Sequence, residues 1–375
     1  MLVHEWLSRT GGSENVFDAM VGAFPDADLL CLWNDVPGRY PGRDLRETWL
    51  ARTLLRRSKA AALPAIIPTW RGRRPGGYDW ALVSSHMFAH HVSFADEPAD
   101  FRKYVYVHSP ARYLWNPELD ARGAGALAGL VSPPLRSLDR RRARDAHAIA
   151  ANSAYVRERV RRAWDRDATV LHPPVDVERI QSVARWADLV SPADRAVLDA
   201  LPRPFLLGAS RFVEYKRLDL VVAAGVAAGL PVVLAGAGPL RSRIAAAAER
   251  APVPVTIVDA PSQELLYALY QAAEVYVFPA VEDFGIMPVE AMAAGTPVVA
   301  QRVGGTAETV TDGHSGVLTD FASVAELRAA VSRASTLGRG AALERARDFG
   351  RARFERELTD WVAGSPALPT ARGEG

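Results

Sequence analysis

Apolar positions along this chain fall in short blocks separated by stretches of helical period, and the alternation runs twice from start to end. The first block, Leu2–Trp6, precedes a turn at Ser8–Gly12 and a helical pattern from Ser13 to Ala23, which predicts strand, glycine loop and helix. Further strands are predicted over Leu29–Trp33, Trp80–Ser84, Tyr104–His108, Ala148–Asn152 and Thr169–Leu171. Helical stretches between such blocks imply a parallel, doubly wound sheet. Pro173 and Pro174 stop the pattern, and a polar, weakly periodic segment runs on to Pro204, where a domain boundary is expected. A second alternation then predicts strands at Phe205–Ala209, Val232–Ala235, Val255–Val258, Val275–Phe278 and Val298–Ala300. The reading is two α/β domains, residues 1–174 and 175–349, then a helical run Gly340–Ala363 and a disordered tail from Gly364.

A length of 375 residues exceeds one ordinary core, and 49% apolar content supplies two. No run approaches the roughly 18 to 20 apolar residues that cross a bilayer, and no leader precedes His4, so a cytoplasmic location is expected. The single Cys31 excludes an internal disulfide framework and reads as a buried strand residue. The net charge of +2 hides an asymmetry: residues 1–185 carry 27 basic against 21 acidic side chains, or +6, leaving −4 for the rest. Arginines cluster at Arg52, Arg56 and Arg57, at Arg71, Arg73 and Arg74, and at Arg136, Arg140, Arg141, Arg142 and Arg144. They read either as solvated helix faces or, with the apolar stretch Ala60–Trp70, as a patch for anionic lipid or a phosphorylated acceptor. The overall charge is too small for strong nucleic-acid binding.

The stretch EDFGIMPVEAMAAGTPVVA, Glu282–Ala300, carries the most chemistry. Phe284, Gly285 and Ile286 would present backbone N–H groups at the start of a helix running to Ala294, an anion site by geometry. Pro288 suits the first turn, where its missing N–H costs nothing, and Gly295 would close the helix as a left-handed cap. Glu282 on the preceding loop and Glu290 inside the helix bring two acids to one ligand, as in a nucleotide-sugar site.

This segment resembles the E-x7-E motif of retaining GT-B glycosyltransferases of family 4, and the whole chain resembles their WbaZ-like mannosyltransferase branch. The blocks that carry the resemblance run in order: HEWLSRTGGSE at 4–14, YVYVHSPARYLW at 104–115, IAANSAYVRERV at 149–160, VLHPPVDVERI at 170–180, SRFVEYKRLDLVV at 210–222, GAGPL at 236–240, and the stretch from Glu282. It implies two Rossmann-like domains facing a cleft, a final helix packing back on the first domain, and a first strand that would ordinarily begin a few residues earlier. It implies transfer of a hexose with retention from a nucleotide sugar, GDP-mannose being favoured, with no further cofactor.

The resemblance implies that Glu282 faces the sugar hydroxyls, Asp283 supports it, and Glu290 accepts hydrogen bonds from the ribose. Gly11 and Gly12 match a loop against the donor phosphates, Gly236 and Gly238 line the nucleoside pocket, and His108 contacts the sugar or its diphosphate. Arg211 and Lys216 would stabilise charge on the leaving β-phosphate, replacing a divalent ion. No metal is expected: Asp26-Ala27-Asp28 and Asp165-Arg166-Asp167 sit in polar turns, and no acid accompanies His86, His90 and His91. His4 likewise lacks functional context. Competing readings are the same fold with a UDP- or dTDP-sugar donor in natural-product or cell-envelope glycoside synthesis, and a non-enzymatic basic membrane or nucleic-acid binder. An NAD-dependent oxidoreductase is disfavoured because Arg241 takes the place of the third fingerprint glycine after Gly236 and Gly238.

Overall fold

A computed structural model describes residues 1–9, 11–72, 76–115 and 126–364, with the backbone alone over 126–131. Arg73 and Arg74 of the basic cluster, and all but Gly364 of the expected tail, lie outside the described residues. The chain divides into two compact units, one of Met1–Pro174 with the chain from Phe354, the other Val175–Arg353.

Among the described residues the first unit holds a parallel sheet of β1 (Leu2–His4), β2 (Leu29–Cys31), β3 (Leu45–Glu47), β4 (Trp80–Ser85), β5 (Arg102–Val107), β6 (Ala148–Ala151) and β7 (Thr169–Val170). Its order is β3-β2-β1-β4-β5-β6-β7. The central strands are apolar on both faces because helices cover both sides, the signature of a buried parallel sheet. One face sets Val3, Leu30, Val83, Val105 and Ile149 against Trp70 and Trp164. The other sets Leu2, Leu82, Tyr104 and Tyr106 against Phe17 and Met20 and against Phe354 and Leu358, which lie one helical turn apart.

The second unit repeats the plan with β8 (Leu206–Ala209), β9 (Val232–Gly236), β10 (Val255–Asp259), β11 (Val275–Phe278), β12 (Val298–Gln301) and β13 (Gly316–Thr319). Its order, β10-β9-β8-β11-β12-β13, is the doubly wound arrangement. Both sheets have a switch point where consecutive connections leave in opposite directions, at β1/β4 and at β8/β11.

Several expectations are corrected. The first strand stops at His4, short of Trp6. β3 went unpredicted because Leu45-Arg46-Glu47 is an exposed edge with no apolar block, and β13 because Gly316–Thr319 holds only the apolar pair Val317-Leu318 between a glycine and a threonine. The segment before Pro204 is not a loose linker. It folds into helices Val177–Ser182 and Pro192–Asp199, the latter capped by Ser191, and buries Trp186, Leu198 and Leu201. The helical run from Gly340 is two helices, Arg339–Arg347 and Arg351–Gly364, interrupted where the Phe349 carbonyl accepts the Val175 N–H at 2.9 Å.

Candidate functional site

In the second unit the switch point collects the predicted chemistry on loops at the carboxyl ends of β8 and β11. Lys216 ends a short 3-10 turn after β8, and its Nζ donates to Glu282 Oε1 at 2.6 Å. Both side chains are largely shielded, 10% and 17% exposed, so this is not a solvated surface pair. The Phe278 ring lies 5.2 Å from the same ammonium. Arg211 stands at the exposed rim, donating to the Tyr215 hydroxyl at 2.7 Å.

Glu290 lies inside the helix Ile286–Ala293, where the Tyr270 hydroxyl donates to its Oε2 at 3.4 Å. Burial raises its carboxyl from an ordinary 4.5 to about 7; the Tyr270 bond opposes the shift and Asp176 adds to it. A carboxyl raised to about 7 is only about half ionised at neutral pH.

The helix starts after Gly285, whose φ of 95° suits a residue without a Cβ, and it has no side-chain cap hydrogen bond. Gly295, at φ 85°, follows the helix end as the sequence predicts. Asp283 is buried, and the ring of Phe284 belongs to the core, edge-on to Phe349 at 5.5 Å, so Phe284 would serve a ligand only through its backbone.

Two residues that shape this loop escaped the sequence reading. A Cβ on Gly304 would come within 2.8 Å of the Glu282 carbonyl oxygen, and one on Gly305 would overlap Asp283 and Phe284. The Gly305 N–H donates to the Glu282 carbonyl at 2.8 Å. Their signal was a second double glycine at a strand-to-helix turn, as at Gly11-Gly12. Gly236 and Gly238 act similarly. A side chain at either would overlap the backbone of Ser210 or Phe212, so their bareness seats the GAGPL loop on the segment that carries Arg211.

In the first unit, Gly12 opens the helix Gly12–Ala23 and Gly11 precedes it. The space a side chain on Gly11 would fill holds the Glu14 carboxylate, which accepts the Ser8 N–H at 3.2 Å, the Ser13 hydroxyl at 2.8 Å, and the Ser8 hydroxyl. The glycine thus accommodates an acid of this chain itself. His108 follows β5; Ser84 Oγ lies 2.8 Å from its Nε2, and Asn152 donates to its carbonyl at 3.0 Å. His4 and His86 lie close by: His4 Nδ1 is 3.0 Å from Ser84 Oγ, and the His86 ring centroid is 6.2 Å from that of His108.

The expectation that no acid accompanies His90 and His91 also fails. Asp139, far off in sequence, lies with its Oδ1 2.9 Å from His91 Nε2 and 3.0 Å from His90 Nε2, all three fully buried. These ligand-type atoms lie within 4.8 Å of one another. The Asp139 Oδ2 already accepts the indole N–H groups of Trp115 and Trp164, each at 2.7 Å. Burial would raise this carboxyl, but His90 and His91 outweigh it and hold the group well below the usual carboxylate range. Burial and His90 lower His91 to about 4. Both Asp139 oxygens are thus engaged, while the buried His90 Nε2 and His91 Nδ1 have no well-aligned hydrogen-bond partner among the described residues. One acid of each D-x-D turn is engaged within the protein: Asp28 accepts from Tyr78 at 2.7 Å, and Asp167 pairs with Arg157 and Arg161.

Residues 191–355 match the family model described as Glycosyl transferases group 1. The D-inositol 3-phosphate glycosyltransferase of Mycobacterium sp. (strain KMS) is 32% identical over 245 residues, 58% of this chain and 52% of the relative. The GDP-mannose-dependent alpha-(1-6)-phosphatidylinositol monomannoside mannosyltransferase of Mycolicibacterium smegmatis is 31% identical over 221 residues, 53% of this chain and 56% of the relative. The chain thus spans about half the length of the curated relatives it matches. Among solved structures, Anabaena HepE in complex with UDP-glucose aligns over 97% of this chain and 99% of its own at a TM-score of 0.67 and 17% identity. The likeness fixes the fold, two Rossmann-like parallel-sheet domains of the GT-B class.

Proposed function

We propose that this protein is a retaining, metal-independent glycosyltransferase that moves a hexose from a nucleotide sugar to an acceptor hydroxyl. The observation that carries the reading is the shielded Lys216–Glu282 pair beside Arg211 and Glu290 at the β8/β11 switch point, inside the segment that matches the group 1 model. In this reading the bond from the anomeric carbon to the β-phosphate breaks, with its electron pair going to the phosphate. The acceptor oxygen forms the new bond on the same face and gives its proton to the leaving phosphate.

Lys216 and Arg211 stabilise the charge that grows on that phosphate. Glu282 holds the ammonium in place until the diphosphate arrives and then meets the sugar hydroxyls. Glu290 binds the ribose, His108 meets the sugar or diphosphate, and Gly11, Gly12, Gly236 and Gly238 let backbone approach the donor.

The resemblance to the WbaZ-like branch and the GDP-mannose-dependent relative both favour GDP-mannose as donor. A second reading, a uridine-nucleotide donor, is favoured by the UDP-glucose bound to HepE. The first unit exposes Trp49 and Leu54 beside Arg52, Arg57 and Lys59, which supports peripheral attachment to an anionic membrane where the acceptor would lie.

The test is a thermal-shift panel of GDP-mannose, GDP, UDP-glucose, UDP and NAD, since ligand at about 100 times its dissociation constant adds roughly 2.7 kcal/mol. Selective stabilisation by guanine nucleotides is expected. A response to uridine nucleotides alone moves the donor to the second reading, and a response to none of them refutes the function.

A further inference from the structure

His4 and Ser84 lie on adjacent strands β1 and β4 at the switch point of the first sheet and His108 directly follows the next strand, β5, so strand register puts all three on one face. His4 pairs with Ser84 across β1 and β4, and Ser84 with Tyr106 across β4 and β5, with His108 two residues further on. The result is a continuous chain from His4 Nδ1 to Ser84 Oγ at 3.0 Å and on to His108 Nε2 at 2.8 Å. His4 and Ser84 are fully buried, whereas His108 is partly exposed.

Proton bookkeeping gives this chain a direction. The buried His4 Nε2 has no hydrogen-bond partner among the described residues. A buried N–H without an acceptor is rarer and costlier than an unused lone pair, so the His4 proton belongs on Nδ1, where it is donated to Ser84. Ser84 has one proton, and with its oxygen accepting from His4 it donates to His108 Nε2. That nitrogen is then an acceptor, and the His108 proton lies on Nδ1.

The surroundings disfavour a second proton on His4 and on its neighbour His86. Burial, then His108 and also Arg39 and Lys59, push His4 well below its ordinary range, and His86 beside it is lowered by burial and by His4, His108 and Lys59. Phe17 stacks on His4 at 4.9 Å, and Tyr106 stands edge-on to His108 at 5.2 Å.

We propose that His4 and Ser84 form a positioning relay that holds the His108 ring proton on Nδ1, so that His108 serves the reaction as a hydrogen-bond donor and not as a base. The role for His108 rests on the transferase reading above. It divides the labour there: removal of the acceptor proton falls to the leaving phosphate, and His108 supplies an N–H to an oxygen of the donor.

The test is long-range proton–nitrogen NMR of the full chain labelled with 15N-histidine, which reports which ring nitrogen carries the proton and needs no substrate. The His108 signal is identified by its loss in His108→Gln. The wild type should show His108 protonated on Nδ1. Ser84→Ala, which removes a single oxygen, should release that tautomer and lower donor turnover roughly tenfold or more. His4→Asn, whose amide N–H can replace Nδ1–H, should retain the wild-type His108 pattern, whereas His4→Ala should not. A wild-type ring protonated on Nε2, or a tautomer unchanged by Ser84→Ala, overturns the relay. A tautomer that responds as stated in a protein that turns over no sugar nucleotide leaves the relay standing and overturns the transferase reading.

Discussion

Glu290 joins two demands that work against each other: burial holds its carboxyl near 7, and the proposed ribose contact needs an acceptor. If the nucleotide binds the ionised form, affinity falls as pH drops below about 7, by up to roughly tenfold per pH unit, and levels off above it. Titration calorimetry with GDP from pH 5.5 to 8 should show this slope in the wild type and a weaker, flat profile in Glu290→Gln. A flat wild-type profile would remove Glu290 from nucleotide binding. At this scale the sequence was informative where a motif is local. Glu282 and Glu290, eight apart around one turn, could be read together, and so could Arg211 and Lys216. The His4–Ser84–His108 chain and Asp139 beside His90 and His91 could not, because strand register and helix packing create those contacts over long sequence separations, and the local fold of the Glu14 carboxylate onto Gly11 is a side-chain conformation that spacing alone does not reveal.

Among elements, the loop after β11 depends on one that follows β12. Gly305 touches backbone of Asp283 and Phe284 so closely that even a methyl group must push the Glu282 loop away. Gly305→Ala is expected to cost about 1–3 kcal/mol of stability by overpacking. Turnover should fall further, roughly tenfold or more, because a catalytic group displaced by about 1 Å loses its alignment. Gly340→Ala is the matched control: nothing lies within 4 Å of its added carbon, and the residue is inside a helix, so stability should hold or rise slightly. Thermal denaturation and donor turnover on both variants decide the matter, and equal behaviour would show that Gly305 does not shape the site. The strands buried on both faces were legible as apolar blocks, and the helix Ile286–Ala293 from its glycine and proline punctuation. The exposed edge strand β3 and the short helices before Pro204 were not, since neither carries enough residues to show a period.

For the molecule as a whole, buried titratable groups set the pH range in which it is most stable. His4, His86 and His91 are kept neutral when folded but accept protons near 6.5 when unfolded, so their contribution is lost as pH falls below that value. Glu5, raised by burial to about 7 despite N–H groups from Met87 and Ala89 at 2.8 Å, acts with Glu290 in the opposite sense, losing stability as pH rises from about 4.5 to 7. Three histidines outweigh two carboxyls on the acid side. The melting temperature should therefore rise between pH 5.5 and 6.5, and more steeply in Glu5→Gln, where one opposing group is gone. A fall over that interval would contradict the assignment. The two-fold alternation of strand and helix was visible along the entire chain, and with it the α/β class. The identity of any donor was not, because base and sugar would be chosen by pocket shape, whereas in the proposed reading the motif holds only the diphosphate and ribose.

The account stands or falls on whether the Lys216–Glu282 site cleaves a sugar nucleotide. The direct measurement is the rate of nucleoside diphosphate release from GDP-mannose, and in parallel from UDP-glucose, by the wild type and by Lys216→Ala. Release from one donor by the wild type, slowed about 10²-fold or more in a folded Lys216→Ala, is the predicted result. Equal rates in the two proteins, or no release from either donor, would contradict it.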